Sequence, residues 1–209
     1  MWKSICKASN YGVTKAFSKL FFPLEVYGLE HYPEEGSGTL LVLNHESRLD
    51  SFFVVFGVEE YQVRLIDMRA FITSQHTDTI YGWFFRALDM FRVERGKGFF
   101  QLDPGVEFLR EGGHVAIFPE GCIRRGKKRH AKKGVSYILH HSGAPILPIH
   151  ISYEKSRYLW YRKCIIDFGK VEYISVQSID EYQEVADQVM RIIDDLPSKR
   201  TYTKIFKHY

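Results

Sequence analysis

Cysteine is scarce in this 209-residue chain: Cys6, Cys122 and Cys164 are widely spaced and odd in number. That pattern supports neither a disulfide framework nor a zinc site with paired ligands, and it fits a reducing compartment. No apolar run approaches the ~20 residues needed to cross a bilayer. The N-terminus also lacks the charged, apolar and small-residue order of a signal peptide. There is no internal repeat, linker or low-complexity segment, so the chain reads as one domain, long enough to bury a sizeable core. Aromatic residues are plentiful, with 16 Phe, 13 Tyr and 3 Trp. This is therefore neither a disordered nor a fibrous composition.

The net charge of +4 conceals an uneven distribution. Residues 1–22 carry Lys3, Lys7, Lys15 and Lys19 and no acid, and residues 124–133 carry seven Lys and Arg and no acid. Taking +4 and +7 from the total leaves −7 on the remaining body. Two concentrated basic segments on an acidic body point to an anionic partner. Residues 1–22 read as an amphipathic helix: at about 100° per residue, Trp2, Ile5, Val13, Ala16, Phe17 and Leu20 fall within an arc of roughly 120°. The lysines occupy the opposite arc. This is the pattern of a helix lying in a membrane interface, and equally that of a helix packed on a domain core.

From Leu24 onward, strand-like and helix-like segments alternate. Leu24–Tyr27, Thr39–Leu43, Gln62–Met68, Phe91–Gly96, His114–Phe118, Pro145–Ile151 and Cys164–Phe168 read as strands. Residues 51–58, 79–90, 101–110, 132–141 and 179–196 read as helices. The expected fold is α/β: a single domain with a mostly parallel central sheet flanked by helices and preceded by the N-terminal amphipathic helix. The division is residues 1–22 for that helix and residues 23–209 for the domain.

The segment Asn44-His45-Glu46-Ser47-Arg48-Leu49-Asp50 lies where the buried-looking strand TLLVL gives way to a helix-like run. On one continuous helix, residues five apart point about 140° away from each other. With His45 in the turn and Asp50 about one helical turn inside, the carboxylate can reach back to an imidazole nitrogen. An Asp so placed fixes the tautomer and leaves the other nitrogen free as a general base. The same residues also fit a plain helix start, with Asn44 or Ser47 as the cap and His45 at the surface.

Four blocks in order, NHESRLD, FRVERG, FPEG and APILPIHI, with GWFFRAL before the second and KKGVSYIL after the third, resemble the glycerolipid acyltransferase family. Its type members are lysophosphatidate acyltransferases. The resemblance runs from about Leu24 to Ile151. It implies acyl transfer from a thioester, acyl-CoA or acyl-carrier protein, to a hydroxyl of a lysophospholipid or glycerol phosphate. No metal and no other cofactor is implied. By resemblance, His45 is the base and Asp50 its orienter. Arg95 takes the family's phosphate-binding position, where a planar fork of donors suits phosphate oxygens; a salt bridge with Glu94 is the alternative. Glu120 is a candidate acceptor for the glycerol hydroxyl, or a structural ion-pair partner. Gly121 is a candidate for close backbone approach and an N–H toward the developing oxyanion.

The chain departs from the family pattern after FPEG, where Cys122-Ile123 replaces the usual Thr-Arg and arginines follow at Arg124 and Arg125. A lysine often found upstream of the GW pair is also missing, with Thr73 and Ser74 in its neighbourhood. The basic run from Arg124 to Lys133 lacks interleaved aromatics, which argues against nucleic acid. Arg124, Arg125, Lys127 and Lys128 are instead candidate contacts for anionic lipid headgroups or acyl-carrier phosphates. The expected partners are an acyl thioester donor, a lysophospholipid acceptor and an anionic membrane surface. The expected location is peripheral, on the cytoplasmic face of a membrane. Two other readings remain open: a non-catalytic lipid-binding protein of the same fold, and acyl transfer through a Cys122 acyl-enzyme with His45 as base.

Overall fold

The segment Leu40–Leu43 has no polar side, so as a strand it has to be covered on both faces. In the computed structural model it is the centre of the sheet, and none of its four residues is more than 2% exposed. The structure describes residues 24–51, 54, 68–73, 90–94, 96–124, 127, 129–155 and 162–199. The N-terminal helix expected over 1–22, most of the helix expected over 51–58, and that expected over 79–90 lie outside the described residues, apart from 51, 54 and 90.

The strands are β1 (Leu24–Tyr27), β2 (Leu40–Leu43), β3 (Met68–Thr73), β4 (Phe91–Val93), β5 (His114–Ile117), β6 (Ile146–Lys155) and β7 (Arg162–Phe168). They form one sheet in the order β1-β7-β6-β2-β5-β3-β4. Every neighbouring pair is parallel except β6 with β7. The six residues between Lys155 and Arg162 are too few for a crossover, which takes about a dozen or more, so those two strands run antiparallel. The mostly parallel α/β sheet expected from the alternation of elements is thus present.

Side chains of β2 alternate between two apolar layers. Leu40 and Val42 pack with Val106, Val135, Ile138, Val189 and Ile193. These come from α1 (Asp103–Arg110), α2 (Gly134–Ser142) and α3 (Tyr182–Asp195). Leu41 and Leu43 face the other way, toward Val26, Val54, Leu147, Ile149, Ile151 and Phe168. In α3 the buried residues Tyr182, Val185, Ala186, Val189, Met190 and Ile193 follow helical spacing, so the sheet determines which face is covered. Gly143, at φ +66°, ends α2 in the left-handed conformation that glycine adopts most readily.

Of the strand expected over Gln62–Met68 only Met68 is among the described residues, and it opens β3, which pairs with β5 on one side and β4 on the other. Arg69 makes that segment look unlike a buried strand. The guanidinium is accommodated over the Phe108 ring at 4.3 Å and the Phe91 ring at 5.5 Å, a cation–π setting. Because β2 and β5 are parallel neighbours, with Leu41 opposite Ala116, their carboxyl ends open side by side. In open parallel sheets that end is where ligands bind.

Candidate active site

The strand β2 ends in a side chain that continues its hydrogen bonding. Asn44 is completely buried. Its Nδ2 donates to the Ile151 carbonyl at 2.8 Å, and its Oδ1 accepts the Ile151 N–H at 2.6 Å. The side-chain amide thus stands in for a peptide group and extends the β2–β6 pairing. Asn44 is therefore a sheet residue here and not a helix cap.

His45 follows, and both its peptide groups are held by the loop after β5. Its N–H donates to Glu120 Oε2 at 2.9 Å, and its carbonyl accepts the Arg124 N–H at 2.6 Å. Its ring stacks on Phe118, with centroids 4.1 Å apart. Nδ1 meets Asp50 Oδ2 at 2.9 Å, with the His45 side chain 20% exposed and Asp50 fully buried. Asp50 opens the next helix, where a carboxylate is favoured by the free N–H groups of the first turn, and does not sit a full turn inside it. Its Oδ2 also accepts the Ser47 N–H at 2.8 Å, and its Oδ1 accepts the Tyr153 hydroxyl at 2.5 Å. With Nδ1 donating to the carboxylate, the neutral imidazole carries its lone pair on Nε2. A buried carboxylate on one nitrogen of a partly exposed ring is the arrangement that general-base chemistry requires.

Glu120 is also buried, and its Oε1 accepts Nε of Arg124. Burial pushes its carboxyl above the usual carboxylate range, while Arg124 and the His45 N–H pull it back down. Arg124 Nη1 continues to Asp194 of α3 at 2.7 Å and lies 3.8 Å from Glu46. Burial opposes the charge on Arg124, but Glu120 and Asp194 outweigh it and hold the guanidinium protonated. One residue after Glu120, Gly121 sits at φ +62°. Its N–H, expected to face an oxyanion, is committed to the Phe118 carbonyl at 2.9 Å, so what it contributes here is the turn itself.

The structure brings together His45, Asp50, Glu120, Gly121 and Arg124 from the sequence-derived set. Arg124 points inward at three carboxylates, not outward toward lipid. Lys127 is exposed. Arg95, Arg125 and Lys128 lie outside the described residues. Glu94, the alternative partner for Arg95, pairs with Lys97 at 2.6 Å. Cys122 Sγ is turned toward the Glu120 carbonyl at 3.6 Å. His114, buried at the opposite end of β5, accepts the Thr39 N–H at 3.3 Å and belongs to the scaffold.

Sequence reading missed Tyr153 and Asp194. The signal for Tyr153 was the period-two series Leu147, Ile149, Ile151, Tyr153 on the core face of β6. A tyrosine in such a series needs a buried partner for its hydroxyl.

A family model described as Acyltransferase matches residues 23–152. The chain belongs to the glycerolipid acyltransferase family. Among its relatives is the chloroplastic 1-acyl-sn-glycerol-3-phosphate acyltransferase BAT2 of Brassica napus, 27% identical over 135 residues, which are 62% of this chain and 37% of that protein. Another is the chloroplastic 1-acyl-sn-glycerol-3-phosphate acyltransferase LPAT1 of Arabidopsis thaliana, 26% identical over 135 residues, 62% of this chain and 36% of that one. The match thus spans little more than a third of the length of either relative. The crystal structure of the 1-acyl-sn-glycerophosphate (LPA) acyltransferase PlsC from Thermotoga maritima has the same fold, with a TM-score of 0.62 and 24% identity. That likeness covers 87% of this chain and 75% of PlsC. In this member of the family, β6 completes the site beyond the last matched residue, since Tyr153 follows directly.

Proposed function

We propose that this acyltransferase moves a fatty acyl group from an acyl thioester, acyl-CoA or acyl-carrier protein, to a hydroxyl of a lysophospholipid or glycerol phosphate. The observation that carries this reading is the 2.9 Å contact of His45 Nδ1 with the fully buried Asp50, which leaves Nε2 as the basic nitrogen of a partly exposed ring. As the acceptor oxygen bonds to the thioester carbonyl carbon, its proton passes to Nε2. Asp50 stabilises the resulting imidazolium. Collapse of the tetrahedral adduct breaks the C–S bond, and the departing thiolate takes the proton back from His45. Glu120 fastens His45 to the β5 loop, with Oε2 on the His45 N–H and Oε1 on Arg124, so the ion-pair alternative is the role this reading gives it. Arg95 is the proposed phosphate ligand of the acceptor.

The division into an interfacial segment, residues 1–22, and an acyltransferase domain, residues 23–209, is part of the same proposal. So is a peripheral place on the cytoplasmic face of a membrane, with the lysines of residues 1–22 and the segment Arg125, Lys127 and Lys128 meeting anionic lipid. No helix among the described residues is long and apolar enough to cross a membrane.

The reading is tested by incubating the protein with mixed acyl-CoAs and a panel of lysolipids and identifying products by mass spectrometry. His45→Ala should lower the rate by roughly 10²-fold or more, as loss of a general base does, and Cys122→Ala should retain most of it. An acyl adduct on Cys122, or full activity in His45→Ala, overturns the direct mechanism.

A further inference from the structure

Asp50 is a carboxylate with no exposure, and only Oδ2 is engaged by the histidine it orients. A buried carboxylate that keeps its charge needs donors for its remaining lone pairs. The Ser47 N–H supplies one at 2.8 Å, on the same oxygen as His45. The other oxygen is met from a different element, by the hydroxyl of Tyr153 on β6 at 2.5 Å. Asp50 and Tyr153 are 103 residues apart in the chain, so this contact exists only because β6 lies beside β2.

We propose that Tyr153 is a positioning residue of the His45–Asp50 pair, its hydroxyl fixing Asp50 Oδ1 so that Oδ2 stays on His45 Nδ1. This rests on the base role given to His45 above. The direction of the bond is settled by the surroundings. Burial, then the Asp50 charge and the neighbouring Cys164, push the Tyr153 phenol far above its ordinary range, so it remains a donor at any working pH. Burial likewise raises the Cys164 thiol, which sits opposite Tyr153 in β7 and adds no charge. Among the described residues, the charged groups around the pair are then Asp50, Glu46 and the exposed Arg48 on the same loop, Glu120 and Arg124 after β5, and Asp194 of α3 behind Arg124.

The consequence is an electrostatic one. A donor on Oδ1 withdraws charge from the carboxylate and moderates its hold on the imidazolium. Without that hydroxyl, the charge concentrates on His45 and favours its protonated form, while the carboxylate loses one of its fixed points. Tyr153→Phe should therefore shift the His45 titration to higher pH, lower kcat about tenfold and leave KM close to its original value.

The decisive measurement is the NMR titration of the His45 imidazole, assigned by the signal lost in His45→Gln, in the unmodified protein and in Tyr153→Phe. It needs no substrate, so it stands apart from the acyl-transfer reading, which an active His45→Ala would remove on its own. Replacing Tyr153 by 3-fluorotyrosine keeps the shape and strengthens the donor, and should move the titration the opposite way, to lower pH. That variant also answers the question if Tyr153→Phe does not fold. Cys164→Ala alters the packing behind Tyr153 but keeps the hydroxyl, and should leave the His45 titration in place. An unshifted titration in both Tyr153 variants, or an equal shift in Cys164→Ala, overturns the proposal.

Discussion

Arg124 and Asp194 meet at 2.7 Å across 70 residues of chain, tying the last turn of α3 to the residue that grips Glu120. The arginine side chain is 6% exposed and Glu120 has no exposure, so neither charge can be screened by water if the other is lost. Removing one partner of such a pair costs about 3–5 kcal/mol, because the remaining charge stays buried and unpaired. Arg124→Met should lower the unfolding free energy by that amount in urea titrations. The double variant Arg124→Met/Glu120→Gln should recover much of it. A double variant no better than the single would show that packing of the guanidinium, not its charge, supports the loop.

The Asn44 amide gives a second prediction about the scaffold. Asn44→Ala orphans the N–H and the carbonyl of Ile151, a residue with no exposure. Each unsatisfied buried group costs about 1–3 kcal/mol. Asn44→Asp should be worse, since it keeps the size but sets a carboxylate oxygen against the Ile151 carbonyl. Equilibrium unfolding of both variants measures this. An Asp variant as stable as the original would refute the role of Asn44 as a surrogate peptide group.

His45 and Asp50 could be paired from sequence because they stand five positions apart and the strand before them was unmistakable. Tyr153 and Asp194 reach the site through strand order and helix packing: the alternation along β6 marks Tyr153 as core-facing but does not name Asp50 as its partner, and no local pattern encodes Asp194. Arg124 heads a run of cations in the sequence, yet its side chain turns inward because Glu120 and Asp194 are there to receive it. Arg69 in β3 is a related case. Arg69 broke the apolar alternation, and the aromatic rings that shelter its guanidinium come from β4 and α1. Local spacing determined the elements, and long-range contacts determined which polar residues could be buried.

Cys164 predicts how stability responds to alkali. Burial raises its thiol above the value of an unfolded cysteine, near 8.5. Its contribution is therefore fully present below that pH and is lost as pH rises from there toward the folded value. Above about pH 8.5, the unfolded state releases a proton that the native state keeps, which costs about 1.4 kcal/mol per pH unit. Urea midpoints between pH 7.5 and 9.5, in a background lacking Cys6 and Cys122, should fall along this slope. Cys164→Ala should flatten it. The Tyr32 phenol, also raised by burial, comes into play only above about pH 10. An unchanged slope in Cys164→Ala would assign the loss to other groups.

Two glycines with similar backbone angles should respond differently to alanine. Gly38 at φ +58° and Gly121 at φ +62° both occupy the left-handed region, where a side chain costs about 1–2 kcal/mol. Their surroundings differ. A Cβ on Gly38 would lie 2.3 Å from the Leu109 carbonyl oxygen, a backbone atom at the end of α1 that cannot withdraw alone. A Cβ on Gly121 would lie 3.0 Å from the far end of the Lys132 side chain, which can swing away. Gly38→Ala should therefore lose the conformational cost plus an overpacking cost of about 1–3 kcal/mol, and Gly121→Ala the conformational cost alone. Activity should rank them in reverse. Gly38 precedes β2 at the end of the strand remote from His45, so folded Gly38→Ala should keep its kcat. Gly121 adjoins the carboxylate that holds the His45 N–H, so Gly121→Ala should lose turnover beyond its loss of folded protein. Unfolding curves and kcat measured on the same samples separate the two effects. If Gly121→Ala turns over normally, the geometry of the β5 loop is not what aligns His45.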